Sequence, residues 1–400
     1  METDASVLLQ SVVLPSSIDE TPSPPSKPAR NKPERQPSIG PSLSSSTNFY
    51  DIPGSDALND LLERYIPPQE RPERDMESDK TANKGPETLV MNQRWRAIAK
   101  HARQQIVQSD PAQTEAILKL WFMRLLALTK LGLCQLASAE FEKLGDLDRV
   151  ELTDPITHRS LVPFELRILF ATLPSYLEYP HLALERITLL AVYCKKKQKT
   201  EDPTVWHQRE IQTYLVLATH WIHMRDYASA AKTMKLILTM APDHADALAG
   251  IGRLYLQMGD LVSADHILQR MKTLYGDQPN AKEAIDILSA FQCMAQGEWI
   301  QARDCLQQVY QTNPENLLAI NNLAVCEVYL GHLDKAVERL ETLTSQNPTS
   351  AGTCETAIMN MCTLYELRCE DAIEKKKQVL MQVARWAGDS FGADCLKLQQ

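Results

Sequence analysis

Two histidines come nearest to a chemical site in this sequence, because their type and spacing are those of metal ligands. His220 and His223 are three residues apart in a helical stretch, so both imidazoles can lie on one face. A zinc site needs further ligands, and the following turn offers Asp226 alone. We therefore interpret the pair as ordinary helix-surface histidines, and we expect no bound metal and no other cofactor.

A basic run at residues 195–199 (KKKQK) is the strongest candidate for a nucleic-acid contact. Patches that bind nucleic acid interleave aromatic side chains with the cations, and this run has none. It lies at the end of a predicted helix, where cations suit the helix dipole, so we expect a solvated helix end and no nucleic-acid partner. Cys354, Cys362 and Cys369 fit a buried helical stripe better than a ligand set.

Composition and missing motifs exclude several classes of protein. The sequence contains neither a GxxxxGK[ST] phosphate loop nor a GxSxG elbow, so we predict that it is not an enzyme. The net charge of −9 is spread along the chain, and the nine cysteines form no CxxC pair. The most apolar stretch, residues 120–136, is interrupted by Arg124 and Lys130, and no secretory signal is visible. We expect a cytoplasmic protein with no direct membrane insertion.

The elements that must position these residues are helices, because the chain repeats itself every thirty-four residues between positions 211 and 348. Ala230 and Ala264 are separated by that interval, as are Gly297 and Gly331. This period, with small residues at fixed offsets, is typical of tetratricopeptide repeats, in which stacked helix pairs form a solenoid. The predicted fold class is therefore all-α, a tetratricopeptide-like solenoid and a scaffold for binding.

Small residues and prolines at repeated positions are predicted to hold the array together. Small side chains let the two helices of a unit approach closely, and a proline cannot continue the second helix. The predicted packing residues are Ala218, Ala230, Pro242, Gly252, Ala264, Ala290, Ala302, Pro314, Ala324, Ala336 and Pro348.

Four regions follow from these patterns. Residues 1–88 contain thirteen of the twenty-three prolines and few apolar side chains, so we predict a disordered segment with one short helix at 56–66. Residues 89–200 read as degenerate repeats with helices near 91–108, 113–130, 134–144, 162–178 and 180–197. Residues 201–348 are the tetratricopeptide repeats, and residues 349–400 are predicted to form capping helices.

Two sets of residues are candidates for contact with a partner. Leu58, Leu61, Leu62 and Tyr65 lie on one face of the predicted helix at 56–66. Such a helix can be a docking motif that orders on a partner, or a tethered surface helix, and the pattern favours neither. Asn321 and Asn322 form a candidate polar contact, although helix capping or solvation is the commoner role of such residues.

Several stretches together resemble the family of subunit 12 of the trafficking protein particle (TRAPP) complex. They include RWRA at 94–97 and GDSF at 388–391, and the pieces outside the repeats are more specific than the repeat positions, because packing alone does not demand a GDSF-type tail. The others are residues 120–124, 130–133, 141–142, 145–148, 162–164, 250–253, 321–322, 324–326 and 395–398.

The resemblance implies a scaffold subunit of a vesicle tether that acts in ER-to-Golgi transport and autophagy. The implied partners are other TRAPP subunits, such as subunits 8 and 11, and a Rab GTPase that is reached only through the complex. The implied location is cytoplasmic, peripheral to the early secretory pathway and the Golgi. The alternatives are a generic tetratricopeptide adaptor and an enzyme regulator outside TRAPP.

Overall fold

The computed structural model describes residues 43–54, 56–72, 74, 86–154, 156–276 and 278–398. These residues form α-helices joined by short turns, and within them we find no β-strand. The predicted all-α solenoid is thereby confirmed. The disorder predicted for residues 1–42 and 75–85 lies outside the described residues.

The N-terminal part begins with a short helix that precedes the array. A residue with positive φ, Gln93, separates the second helix from the third, so the helix predicted from position 91 begins at Trp95. The helices are α1 (Ala57–Tyr65), α2 (Pro86–Met91), α3 (Trp95–Gln108), α4 (Thr114–Lys130) and α5 (Cys134–Leu144).

The middle of the chain contains one further degenerate unit and the regular repeats. Pro174 lacks a donor for an α-helical hydrogen bond, so the helix predicted at 162–178 ends at Thr172 and continues as the 3₁₀ segment Leu173–Leu177. The helices are α6 (Phe164–Thr172), α7 (Pro180–Lys197), α8 (Pro203–His223), α9 (Tyr227–Met240), α10 (Ala245–Gln257), α11 (Leu261–Tyr275), α12 (Pro279–Gln296), α13 (Trp299–Thr312), α14 (Leu317–Tyr329) and α15 (Leu333–Gln346).

Two long helices and a 3₁₀ turn complete the described chain. They are α16 (Glu355–Arg368), α17 (Ala372–Trp386) and the 3₁₀ segment Ala393–Leu396. The predicted region boundaries at 200 and 348 fall in turns between helices, whereas the boundary at 88 falls inside α2.

Residues in the turn within each repeat end the first helix and begin the second. Gly259, Gly297 and Gly331 have φ near +80° (76°, 80° and 82°) where the first helix of a unit ends, a conformation that costs glycine little. Asp260 then accepts a hydrogen bond from the Ser263 amide at 3.0 Å and caps α11. The equivalent turn after α8 has a non-glycine residue, Arg225, at φ 60°.

The small packing residues are buried where helices touch. The predicted alanines are all nearly inaccessible to solvent, and a Cβ on Gly252 would lie 2.8 Å from the Leu288 side chain of the next repeat. Pro242, Pro314 and Pro348 lie just after α9, α13 and α15, where the chain turns.

Candidate assembly site

The first array helix, α3, lacks a capping side chain of its own. Its N-cap residue, Arg94, forms no side-chain hydrogen bond to the helix end. The carboxylate of Asp389 fills this role from the other end of the chain, since it accepts from the Trp95 amide at 2.8 Å and from the Arg96 amide at 2.7 Å. A carboxylate at a helix N-terminus satisfies free amides and the helix dipole together.

Residues beside Asp389 strengthen this contact. The indole Nε1 of Trp95 donates to Ser390 Oγ at 3.1 Å, and a Cβ on Gly388 would lie 2.4 Å from the carbonyl oxygen of Gln93. Only glycine allows the two backbones to approach so closely. Burial raises the pKa of Asp389, although the amides of Trp95 and Arg96 act in the opposite direction.

This contact, which we call the closure (residues 93–96 with 388–390), joins the two ends of the array. Helix contacts run along the array from α3 to α17, where α5 joins the next unit through the 3₁₀ segment Leu173–Leu177 and α4 contacts α6. The closure links the end of that series to its beginning. An open solenoid exposes two terminal units to water, whereas here the terminal units meet. The array therefore forms a closed circuit of contacts.

The segment before α1 binds along α4 and α5. The Phe49 ring lies 4.7 Å from the Trp121 ring, between centroids, and the Arg124 guanidinium lies 5.1 Å from the centre of the Phe49 ring. The Trp121 indole donates to the Leu43 carbonyl at 3.1 Å. We call residues 43–54 and 56–72 the N-terminal strap.

A buried ion pair holds the strap in place. Arg124 is 1% exposed and Glu140 0%, measured on their side chains, and Arg124 Nε donates to Glu140 Oε2 at 2.7 Å. Tyr50 bonds to both members of the pair, because its amide donates to Glu140 Oε1 at 3.0 Å and its carbonyl accepts from Arg124 Nη2 at 2.8 Å. Arg124 Nη1 donates to the Ala99 carbonyl at 3.0 Å. A buried charge pair needs such additional hydrogen bonds to be stable.

The rest of the strap binds the opposite end of the array. Leu58, Leu61 and Leu62 are buried in one cluster with α15, α16 and α17, and Tyr65 packs against it. Just beyond the strap, Arg74 donates to the carbonyl of Ala384 in α17 at 2.8 Å. The apolar face predicted to meet a partner is thus covered within the chain.

The structure differs here from the disorder predicted for residues 1–88. The strap is described over 43–54 and 56–72, and its few apolar side chains enter the buried clusters of the array. The prediction considered the low apolar content of the segment in isolation from the rest of the chain. The array supplies the apolar surface that the segment lacks, which offsets its ordering entropy.

Asn321 and Asn322, the other candidate partner contacts, have hydrogen bonds within the chain. Asn321 Oδ1 accepts from Asn360 Nδ2 at 2.9 Å and ties α14 to α16. Asn322 Nδ2 donates to the Leu318 carbonyl of its own helix at 2.8 Å. Both side chains therefore have a structural role, and both are partly accessible to solvent.

The two histidines of α8 have different surroundings: His220 is buried, whereas much of His223 is accessible to solvent. His220 is buried, with Nδ1 2.8 Å from Ser175 Oγ and Nε2 2.7 Å from the Pro180 carbonyl oxygen, and burial lowers the pKa of both His220 and His223. Among the described residues no group of three or more potential ligands could hold a metal ion.

The basic run and the cysteines likewise have places in the fold. Lys195 and Lys197 pair with Glu210 and Glu201 at 3.5 Å and 2.7 Å. Burial raises the pKa of the Cys362 thiol to about 11. Across the part of the chain that the structure covers, no helix is long and apolar enough to span a bilayer.

Comparison with known proteins finds the same class of repeat. The tetratricopeptide repeat family model matches residues 222–286 and 294–352. Subunit 12 of the trafficking protein particle complex from Mus musculus is 30% identical over 392 residues, covering 88% of this chain and 49% of that protein. The chain contains tetratricopeptide repeats over these residues and is similar to TRAPP subunit 12. This similarity confirms the predicted resemblance.

A second relative, subunit 12 from Homo sapiens, is 29% identical, covering 88% of this chain and 53% of its own length. The chain therefore spans about half the length of the curated relatives it matches. A solved tetratricopeptide repeat protein from Parabacteroides merdae covers 76% of this chain and 96% of its own, at 12% identity and a TM-score of 0.41. That likeness carries no argument about function.

The closure and the strap contacts were not found by sequence reasoning. Both flanks of the closure, RWRA and GDSF, stood out as non-repeat pieces, but nothing in the pattern linked them. For the strap, two residues could have served as signals: Phe49, an aromatic side chain of a type that is usually buried, and Arg124, a charge within an apolar helix. The two side chains contact each other in the fold. Only a three-dimensional fold could associate these residues, because 74 positions separate Tyr50 from Arg124.

Proposed function

We propose that this chain is a non-enzymatic scaffold subunit of a TRAPP vesicle-tethering complex that acts in ER-to-Golgi transport and autophagy. The observation that carries the proposal is the alignment with two mammalian subunit 12 proteins over 88% of this chain. That share exceeds the repeats matched by the family model, so the likeness is not limited to a generic repeat pattern.

A closed array of helix pairs is suited to assembly. Its helices are held in register by buried contacts, which keeps the outer helix faces in a fixed arrangement for binding other proteins. Large apolar side chains remain on those faces, including Val262, Ile300 and Tyr329. We expect such residues to contact other large TRAPP subunits, such as subunits 8 and 11.

The proposed role in Rab activation is indirect. The complex would act on the GTPase, and this chain would position other subunits in the cytoplasm beside early secretory and Golgi membranes. This distinguishes a scaffold from an enzyme or an independent exchange factor.

Affinity purification tests membership of the complex. The full chain, tagged at one end and expressed in its own cells, should recover TRAPP subunits, with subunits 8 and 11 among them, as measured by quantitative mass spectrometry. A matched purification with an unrelated tetratricopeptide protein controls for unspecific binding. Recovery of no TRAPP subunit above that control would refute the proposal.

A nucleotide-exchange assay tests the indirect role. Purified chain alone should leave the exchange rate of a Rab GTPase of the early secretory pathway unchanged. Acceleration by the isolated chain would instead support an enzyme regulator.

A further inference from the structure

Helix α7 carries a stripe of apolar side chains on the face that is directed away from the core of the array. Ile187 and Leu190 face inward and are buried, whereas Leu189 is 60% exposed, Val192 43% and Leu182 40%. Single exposed apolar residues are common on protein surfaces, but three on one helix face form a continuous strip. Such a strip is typical of an interaction surface.

The stripe has the spacing of a two-helix seam with a charge at each end. Glu185, Leu189, Val192 and Lys196 are separated by four, three and four residues, which is the spacing of the contact positions in a two-stranded coiled coil. All four are exposed. Neither Glu185 nor Lys196 forms an ion pair in the portion of the chain that the structure describes.

Lys196 is distinct from its neighbours in the basic run. Lys195 lies 3.5 Å from Glu210, and Lys197 lies 2.7 Å from Glu201, so both neighbours point back to the array. Lys196 lies on the outer face of α7, with Val192 one turn before it. The structure therefore presents one cation at the end of the stripe, ready to meet an opposite charge.

We propose that α7 binds α7 of a second copy of this chain in an antiparallel pair. A twofold axis between Leu189 and Val192 sets Leu189 against the partner's Val192, and Glu185 against the partner's Lys196. Both contacts occur twice, as an isologous interface requires. A parallel pair would instead oppose like charges, so the charges at the two ends select the antiparallel arrangement.

A single helix pair lies at the small end of protein interfaces, so the dimer is reversible and depends on concentration. It does not depend on membership of the TRAPP complex. The proposed function and the dimer can therefore each fail without the other.

Analytical ultracentrifugation of the full chain over a roughly hundredfold concentration range tests the pair. The native chain should shift from monomer to dimer. Leu189→Glu should remain a monomer, because dimerisation would bury an unpaired charge in the seam. Val262→Glu is the matched control, since Val262 is 70% exposed on α11, and it should dimerise like the native chain.

Charge reversal tests the antiparallel register. Glu185→Lys and Lys196→Glu should each weaken self-association, by roughly tenfold in the dissociation constant, because each places like charges at both ends of the seam. A mixture of the two variants should restore the dimer, since every facing pair is again of opposite charge. The proposal is overturned if the native chain is a monomer throughout, if both reversals leave the dimer intact, or if the mixture fails to pair.

Discussion

At the scale of single residues, the buried charges Arg124 and Glu140 hold the N-terminal strap against the array. Both side chains are buried and both hydrogen-bond to Tyr50 of the strap, while Arg124 also donates to the Ala99 carbonyl of α3. A buried arginine in an apolar helix destabilises the folded state unless each guanidinium N–H donor has a hydrogen-bond partner. The strap provides one of these partners, which helps to explain why the charge is tolerated in α4.

Arg124→Met should therefore destabilise the chain by about 3 to 5 kcal/mol, because it leaves the Glu140 carboxylate buried without a cation. The measurement is urea unfolding followed by circular dichroism. Arg103→Met is the matched control: its ion pair with Asp51 is exposed, with side-chain exposures of 34% and 95%. The control should cost less than about 1 kcal/mol. Equal effects of the two substitutions would contradict the role assigned to the strap.

The buried thiols give a prediction about pH. Burial raises the pKa of Cys194, Cys326 and Cys362 from 9.0 to about 11. The folded state thus holds these protons more tightly than the unfolded state, so this contribution to stability is complete below pH 9 and is lost as the pH rises towards 11.

Iodoacetamide labelling at pH 9, read by mass spectrometry, checks the same pKa shifts site by site. The three thiols should react much more slowly in the native chain than in urea, because the thiolate is the reactive form. Equal rates in the two states would show that the thiols are not protected.

At the scale of helices and turns, backbone conformation decides where each repeat reverses. Gly259 has φ 76°, and no atom lies within 4 Å of the position that a Cβ would take. Glycine therefore suits this turn because of its backbone conformation and not because a side chain would clash. Gly259→Ala should destabilise by about 1 kcal/mol. Arg225→Gly should have the opposite sign, because Arg225 adopts φ 60° in the equivalent turn. Thermal melting of both variants measures this, and shifts of the same sign would contradict it.

Packing between the two helices of a unit gives a second prediction at this scale. Ala336 is fully buried between helices, so Ala336→Leu should overpack the contact and cost about 1 to 3 kcal/mol. Ala295→Leu, on an exposed site of α12, is the control and should have little effect. An unchanged melting temperature for Ala336→Leu would mean that the repeat register is misassigned.

The helices of the array could be predicted from the sequence because periodicity is a local signal. The helix predicted at 134–144 is Cys134–Leu144, and that at 113–130 is Thr114–Lys130. Backbone breaks within a stretch were harder to predict: the positive φ at Gln93 has no glycine to mark it. The strap was missed because its stability depends on apolar surface elsewhere in the chain.

At the scale of the whole molecule, the array is a closed circuit and not an open solenoid. The Asp389 carboxylate caps α3 although 294 positions separate it from Trp95. The strap adds a second link between the ends of the array. Its residues 43–50 bind α4 and α5, and its helix α1 binds α17. No local pattern contains this information, because repeats determine which units stack and not where the ends of the stack meet.

In the closure, RWRA and GDSF contact each other, and both are among the stretches that carry the resemblance to subunit 12. Their side chains are not repeat positions, so stacking of units does not require them. We infer that they specify how the array ends.

The most direct test of closure is hydrogen exchange at the Trp95 and Arg96 amides, measured by mass spectrometry in the full chain. Asp389→Ala should speed exchange at both amides, because it removes their common acceptor. Asp260→Ala removes a cap of the same kind from α11 and should speed exchange at Ser263, leaving Trp95 and Arg96 as in the native chain. If Asp389→Ala leaves exchange at Trp95 and Arg96 unchanged, the two ends of the array do not meet.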